Sequence, residues 1–174
     1  NQGKGLSWNR GKNHPEPKDI AFHLLVLQDL MRYLKLPFRA DFSDIRMAPG
    51  RSSYFKGQKG INIIDSSYNA HIISMASILD MAERMHAEHK WLVIGDIVEQ
   101  GSITGEEHKK LAKLIADVNP EKVILVGKRT KKWTVPELKK MGISAVATLD
   151  PRKALEYIEN HIRGNETLIF KGSH

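Results

Sequence analysis

Short β-type apolar runs alternate with helical patterns through the last two-thirds of this chain, and that alternation restricts the possible folds more than any other feature. The runs are "INIID" at 61–65, "WLVIG" at 91–95, "KVILVG" at 122–127, "ISAVAT" at 143–148 and "TLIFKG" at 167–172. Between them lie stretches of helical periodicity at 70–88, 104–118, 135–141 and 151–162. Strands alternating with helices predict βαβ units, and therefore an α/β fold with a Rossmann-like, mostly parallel sheet flanked by helices. Two helix starts carry end signals: Thr104 with Glu107 three residues on reads as a capping box, and Asp150 before Pro151 reads as N-cap followed by N1.

The N-terminal part is built differently. After Pro15 and Pro17, the residues Ile20, Leu24, Leu27, Met31 and Leu34 recur at spacings of three and four, so an amphipathic helix is expected before Pro37. "FRADFSDIRMAPG" then reads as a connector, and "RSSYFKGQKGINIID" as two strands turning around residues 57–60. These patterns predict an N-terminal helical segment with a linker over 1–46, and the Rossmann-like domain over 47–174. The chain begins at Asn1 rather than methionine, with a polar, glycine-containing stretch, which leads us to expect a piece of a longer protein.

With 174 residues there is room for one sizeable core. No cysteine is present, so disulfides and thiolate metal sites are excluded, in keeping with a cytoplasmic protein. No apolar run has the ~20 residues needed to span a bilayer. The net charge of +7 favours anionic partners without choosing among them.

In open α/β sheets, ligands bind where strand C-termini meet helix starts. Those positions here are Asp65-Ser66-Ser67, Gly95-Asp96, Gly127-Lys128-Arg129, Thr148 and Lys171-Gly172-Ser173. They mix carboxylates, hydroxyls and cations, as a site for a charged polar ligand would. "VGKRT" and "RGKNH" each carry Gly-Lys but lack the rest of a phosphate-binding loop, and no dinucleotide fingerprint follows the first strand. The histidines lack a zinc spacing, so no metal site is expected. Lys128, Arg129, Lys131 and Lys132 beside Trp133 keep a nucleic-acid-binding module open as an alternative, although a solvated basic loop is the simpler reading.

Four motifs in order carry a resemblance. They are "APGR" before the first strands, "IIDSSYNA" followed by "SM", "VIGDIVEQG" with His108 seven residues after Gly101, and "VILVG" with a terminal "KGS". From residue 49 to 173 the chain resembles the C-terminal domain of the Mur ligases. Within that family it is most similar to the members that add D-alanyl-D-alanine to a UDP-N-acetylmuramoyl-tripeptide during peptidoglycan precursor synthesis. Residues 18–36 loosely resemble the last helix of the family's central ATPase domain.

The resemblance implies an ATP-dependent amide ligase using ATP and Mg²⁺, both held mainly by a central domain. Its implied partners are a UDP-MurNAc-peptide, D-alanyl-D-alanine or a similar amine, and the central and N-terminal domains of the same enzyme. Arg51 would be the catalytic cation on the ATP phosphates, with Asp65, Ser66 and Asn69 completing the nucleotide side. Tyr68, Asn69, His71, Asp96, Glu99, Lys171 and Ser173 would face the substrate. Two positions depart from the family pattern: Ser66 stands where a second acid is usual, and His71 where an asparagine is usual. Because of these departures and the lack of a phosphate-binding loop, a noncatalytic interaction domain of ligase-derived fold stays open as a second alternative.

Overall fold

The computed structural model describes residues 18–38 and 50–173, with side chains from residue 25 onward. The chain divides into two compact units, Asn1–Arg46 and Met47–His174. In the first, helix α1 spans Lys18–Tyr33. It closes with Lys35 in the left-handed region and a bond from the Leu36 N–H to the Met31 carbonyl, a Schellman-type stop that satisfies the last carbonyls. Leu25, Val26 and Leu30 on this helix, and Leu34 just past its end, are exposed. The connector expected over 38–50 lies almost entirely outside the described residues.

The second unit is the expected α/β domain. Six strands, β1 (Ser53–Lys56), β2 (Asn62–Asp65), β3 (His89–Gly95), β4 (Lys122–Val126), β5 (Val146–Thr148) and β6 (Glu166–Lys171), form one sheet in the order β1-β2-β6-β3-β4-β5. Among the described residues only the β1–β2 hairpin is antiparallel, and every other pairing is parallel. Helices α2 (Ile72–Arg84), α3 (Thr104–Val118), α4 (Val135–Lys140) and α5 (Pro151–His161) supply the crossovers.

Strand alternation assigns the two faces. Leu92 and Ile94 of β3, Leu125 of β4 and Ile169 of β6 join Met75, Leu79, Leu111 and Ile115 in the core under α2, α3 and α4. Their chain neighbours Trp91, Val93, Ile124 and Leu168 point the other way, onto Ala154 and Ile158 of α5. Both faces of the central strands are thus covered, which explains why those strands read as continuous apolar runs.

The helix starts divide. Asp150 accepts the Arg152 N–H at 2.9 Å, as its position before Pro151 predicts. Thr104 does not cap α3: a tight turn at Gly101–Ile103 runs straight into the helix, placing Thr104 inside it. Its hydroxyl donates back to the Gly101 carbonyl at 2.8 Å, while Glu107 pairs with Lys110. The capping-box spacing is present, but the preceding turn has already taken the geometry it needs. Helix α2 is shorter than its periodicity indicates, because Met85 turns extended and buries itself in the core.

Candidate cleft at the strand ends

The sheet order brings the C-terminal ends of β2, β6 and β3 side by side, although β6 comes last in the chain. Across the β2 and β6 ends lies an open cleft of about 370 Å³, lined by Gly50, Arg51, Ser52, Ser66, Tyr68, Asn69, His71, Ser74 and Lys171. Six of the residues expected at a site converge here: Arg51, Ser66, Tyr68, Asn69, His71 and Lys171.

Each is placed by a local cause. The Tyr68 N–H donates to the Gly50 carbonyl at 3.0 Å, docking the turn after β2 against the segment before β1. Gly50 is required at this contact: a Cβ there would stand 2.9 Å from the Tyr68 nitrogen, on a backbone at φ +75°. Beside it, the Arg51 guanidinium lies 4.2 Å from the centre of the Tyr68 ring. This cation–π contact holds an exposed arginine at the cleft mouth. Ser66 is buried, and its hydroxyl accepts a bond of 3.4 Å from that of Ser52. At the far wall, the His71 N–H donates to the Ser74 hydroxyl at 3.0 Å, and this closes the first turn of α2.

The other expected residues serve the framework or lie elsewhere. Asp65 accepts both the N–H and the hydroxyl of Ser67, at 3.0 and 2.6 Å, folding the turn that follows β2. Asp96 accepts the backbone N–H groups of Arg129 and Thr130, with the shortest bond 2.7 Å. It thereby caps the helical turn after β4 from the neighbouring strand. Glu99 is exposed in the loop beyond, at φ +62°. The Ser173 hydroxyl accepts the Ala70 N–H at 3.1 Å, behind the cleft wall. In the basic loop, Arg129 is drawn toward Asp96 at 3.8 Å and Lys132 lies 4.7 Å from the Trp133 ring centre, so part of that charge is internally engaged.

Three placements were not anticipated. Ser52 and Ser74 line the cleft. Gly95 and Gly172 lie against each other, where a Cβ on Gly172 would come within 3.0 Å of the Gly95 Cα. The two glycines after strands carried that last signal, because two strand ends in van der Waals contact leave no room for a Cβ.

His108 is a lock within this frame. Wholly buried, it donates from Nδ1 to the Thr104 carbonyl at 2.7 Å and accepts the Ile97 N–H on Nε2 at 3.2 Å. That pair of bonds requires the neutral ring, and burial pushes its pKa below the usual histidine value, outweighing the bond to Thr104 and the nearby Asp96, which favour the charged form. The unfolded chain therefore binds a proton that the folded one excludes. Stability should be full above about pH 6.5 and should fall as pH drops toward the folded-state value, by up to about 1.4 kcal/mol per pH unit. Urea midpoints measured from pH 7.5 to 5.5 check this: the advantage of the wild type over His108→Gln should shrink as pH falls, and an advantage independent of pH would contradict it.

The cleft offers a guanidinium, hydroxyls and an amide, a donor set suited to phosphate and hydroxyl oxygens. Among the described residues no group of three or more His, Asp or Glu side chains is placed to hold a metal ion.

Comparison with known proteins identifies relatives of the same design. A family profile described as "Mur ligase, glutamate ligase domain" matches residues 50–174. The UDP-N-acetylmuramoyl-tripeptide–D-alanyl-D-alanine ligase of Rickettsia prowazekii (strain Madrid E) is 28% identical over 150 residues, covering 86% of this chain and 32% of the relative. The protein of the same description from Bacillus subtilis (strain 168) is 25% identical over 133 residues, 75% of this chain and 29% of the relative. The chain thus spans about a third of the length of the curated relatives it matches.

Among solved structures, MurF ligase from Thermotoga maritima in complex with ADP superposes with a TM-score of 0.67 at 20% identity, covering 82% of this chain and 32% of that one. A MurF crystal structure from Acinetobacter baumannii gives 0.61 at 25% identity, over 74% of this chain and 28% of that one. The first of these establishes the fold, and the profile match extends from the cleft's Gly50 to the C-terminus. On these grounds this chain belongs to the Mur ligase family, through its glutamate ligase domain.

Proposed function

We propose that this chain is the C-terminal part of an ATP-dependent ligase that adds D-alanyl-D-alanine to a UDP-N-acetylmuramoyl-peptide in peptidoglycan precursor synthesis. The observation that carries the reading is the convergence of Arg51, Ser66, Tyr68, Asn69 and Lys171 on one cleft at the C-terminal ends of β2 and β6. The relatives that bear this description support it. No helix among the described residues is long and apolar enough to cross a membrane, and we place the enzyme in the cytoplasm.

ATP supplies the driving force: a peptide carboxylate oxygen takes the terminal phosphoryl group, ADP leaves, and the resulting acyl phosphate is attacked by the incoming amine. The tetrahedral adduct then expels phosphate, and the amine's proton is lost. This chain's contribution is to close over the activated carboxyl, exclude water and hold the reactants together. Arg51, exposed at the mouth and stacked on Tyr68, is set to meet phosphate oxygens on closure. Ser66 and Asn69 face the nucleotide hydroxyls, with Asp65 shaping the turn beneath them. A neutral Ser66 makes a weaker contact than the usual acid. His71 and Tyr68 line the part of the cleft where the amine would enter, while Glu99 lies exposed in the loop after β3. A central domain of the same enzyme would hold Mg²⁺ and most of the ATP.

The test is product formation by the full-length protein. Incubated with ATP, Mg²⁺, the UDP-MurNAc-tripeptide and D-alanyl-D-alanine, it should yield the corresponding pentapeptide by mass spectrometry. No product with this or any other amine would reject the reading. The 174-residue chain alone has no phosphate-binding loop. It should release no phosphate from ATP above a protein-free blank, and release abolished by a substitution within the chain would contradict that expectation.

A further inference from the structure

We propose that Lys171 is a positioning residue: from the end of β6 its buried side chain, together with Ser173, straps the 66–70 turn into the shape that presents Ser66, Tyr68 and Asn69 to the cleft. The inference rests on the ligase reading for what the cleft binds, but the strap itself is a matter of geometry.

Lys171 is only 5% exposed, and its Nζ donates to the Ser66 carbonyl at 3.0 Å and to the Asn69 carbonyl. Burying an ammonium costs several kcal/mol unless it is well bonded, so a lysine here needs a reason. Those two acceptors stand at the two ends of one turn. A single cation bridging them fixes the separation of the ends and so the path of the residues between. The backbone reinforces the grip: the Ser66 N–H donates to the Phe170 carbonyl at 2.9 Å. Two residues on, the Ser173 hydroxyl takes the Ala70 N–H at 3.1 Å and can donate to the Ala70 carbonyl at 3.2 Å.

The strap is itself immobilised. Gly172, between its two gripping residues, rests on Gly95, and the Ser173 N–H donates to the Asp96 carbonyl at 3.1 Å. The end of β3 thus backs the strap, and the strap backs the turn. Since the turn carries the ring on which Arg51 lies, a displacement at Lys171 reaches the cation at the cleft mouth. Burial draws the lysine's pKa below its ordinary value, in keeping with an ammonium whose partners are carbonyls.

The experiment pairs a local signal with kinetics. In the 174-residue chain labelled with ¹³C, the carbonyl resonances of Ser66 and Asn69 should move upfield in Lys171→Met, with those of β4 unchanged, and Lys171→Arg should restore them in part. In the full-length enzyme Lys171→Met should lower kcat/KM about 10²-fold, the penalty of a small misplacement at a reacting centre. A core control, Val93→Ala, loses stability too and should leave kinetics unaltered, which separates positioning from general destabilisation.

Unmoved carbonyl signals in Lys171→Met would overturn the strap. So would a loss of turnover without any change in the turn, the outcome expected if Lys171 touches ligand directly, and so would a changed turn with wild-type kinetics. If Lys171→Met does not fold, Ser173→Ala decides by the same criteria, read at the Ala70 amide. A wild-type enzyme that forms no amide would instead reject the ligase reading, and the carbonyl shifts would then decide the strap by themselves.

Discussion

Replacing Arg51 by alanine in the full-length enzyme should lower kcat by about 10²–10³ while leaving the fold and melting temperature nearly unchanged. The size follows from what Arg51 is placed to do. A cation that meets phosphate oxygens only after closure stabilises charge in the transition state and contributes little beforehand, so its loss appears in kcat as well as kcat/KM. The stability side follows from its exposure. Arg51 is a solvent-facing residue whose contact is a ring face, and truncating such a side chain changes stability by no more than about 0.5 kcal/mol. Steady-state kinetics and thermal melts on the same preparation check both halves. Unaltered turnover would remove Arg51 from the reaction.

Gly127→Ala should be the most damaging single substitution in the framework, at about 3–4 kcal/mol. Gly127 sits at φ +137°, and a Cβ there would fall 2.3 Å from the Asp96 carboxyl carbon. The backbone would have to leave a region closed to other residues, at about 1–3 kcal/mol. Asp96 would also be driven from the N–H groups of Arg129 and Thr130, and losing such a cap costs about 1 kcal/mol or more. For a chain of this size the melting temperature should drop by about 6–15 °C. Gly142→Ala is the mild control. Its φ of +75° lies near the left-handed region that other residues enter at modest cost, and nothing lies within 4 Å, so only a backbone penalty of about 1 kcal/mol should appear. Equal losses in the two variants would show that the Asp96 contact does not matter.

Why some of this was readable in the sequence and some was not has physical causes. The strands and crossover helices are legible because central strands covered on both faces must be apolar throughout, and the helices between them show a clear 3.6-residue period. The α5 start is legible because Asp150 and Pro151 act locally. The position of β6 is not: nothing in "TLIFKG" says that the last strand inserts between β2 and β3, since pairing order is decided by packing across the whole sheet. That insertion builds the cleft wall.

Among the site residues, position at a strand end identified the neighbourhood and could not separate roles. Lys171 and Arg51 look alike as strand-adjacent cations, yet one is buried against carbonyls and the other lies exposed on a ring. Asp96 reads as a carboxylate at a strand end, while its oxygens accept N–H groups more than thirty residues away in sequence. Such long-range bonds leave no periodic trace. The Thr104 spacing misleads for the converse reason, because a tight turn upstream starts the helix earlier than the side-chain signal indicates.

The most direct test of the central claim follows an oxygen atom. The UDP-MurNAc-tripeptide is prepared with ¹⁸O in the acceptor carboxylate and incubated with the full-length enzyme, ATP, Mg²⁺ and D-alanyl-D-alanine. If that carboxylate is activated as an acyl phosphate before amine attack under the closed cleft, the oxygen bridging carbon and phosphorus leaves with the phosphate. One ¹⁸O should therefore appear in the released phosphate for each amide bond formed, from labelled oxygens of the carboxylate. Unlabelled phosphate accompanying amide formation, or no amide at all, would contradict the account.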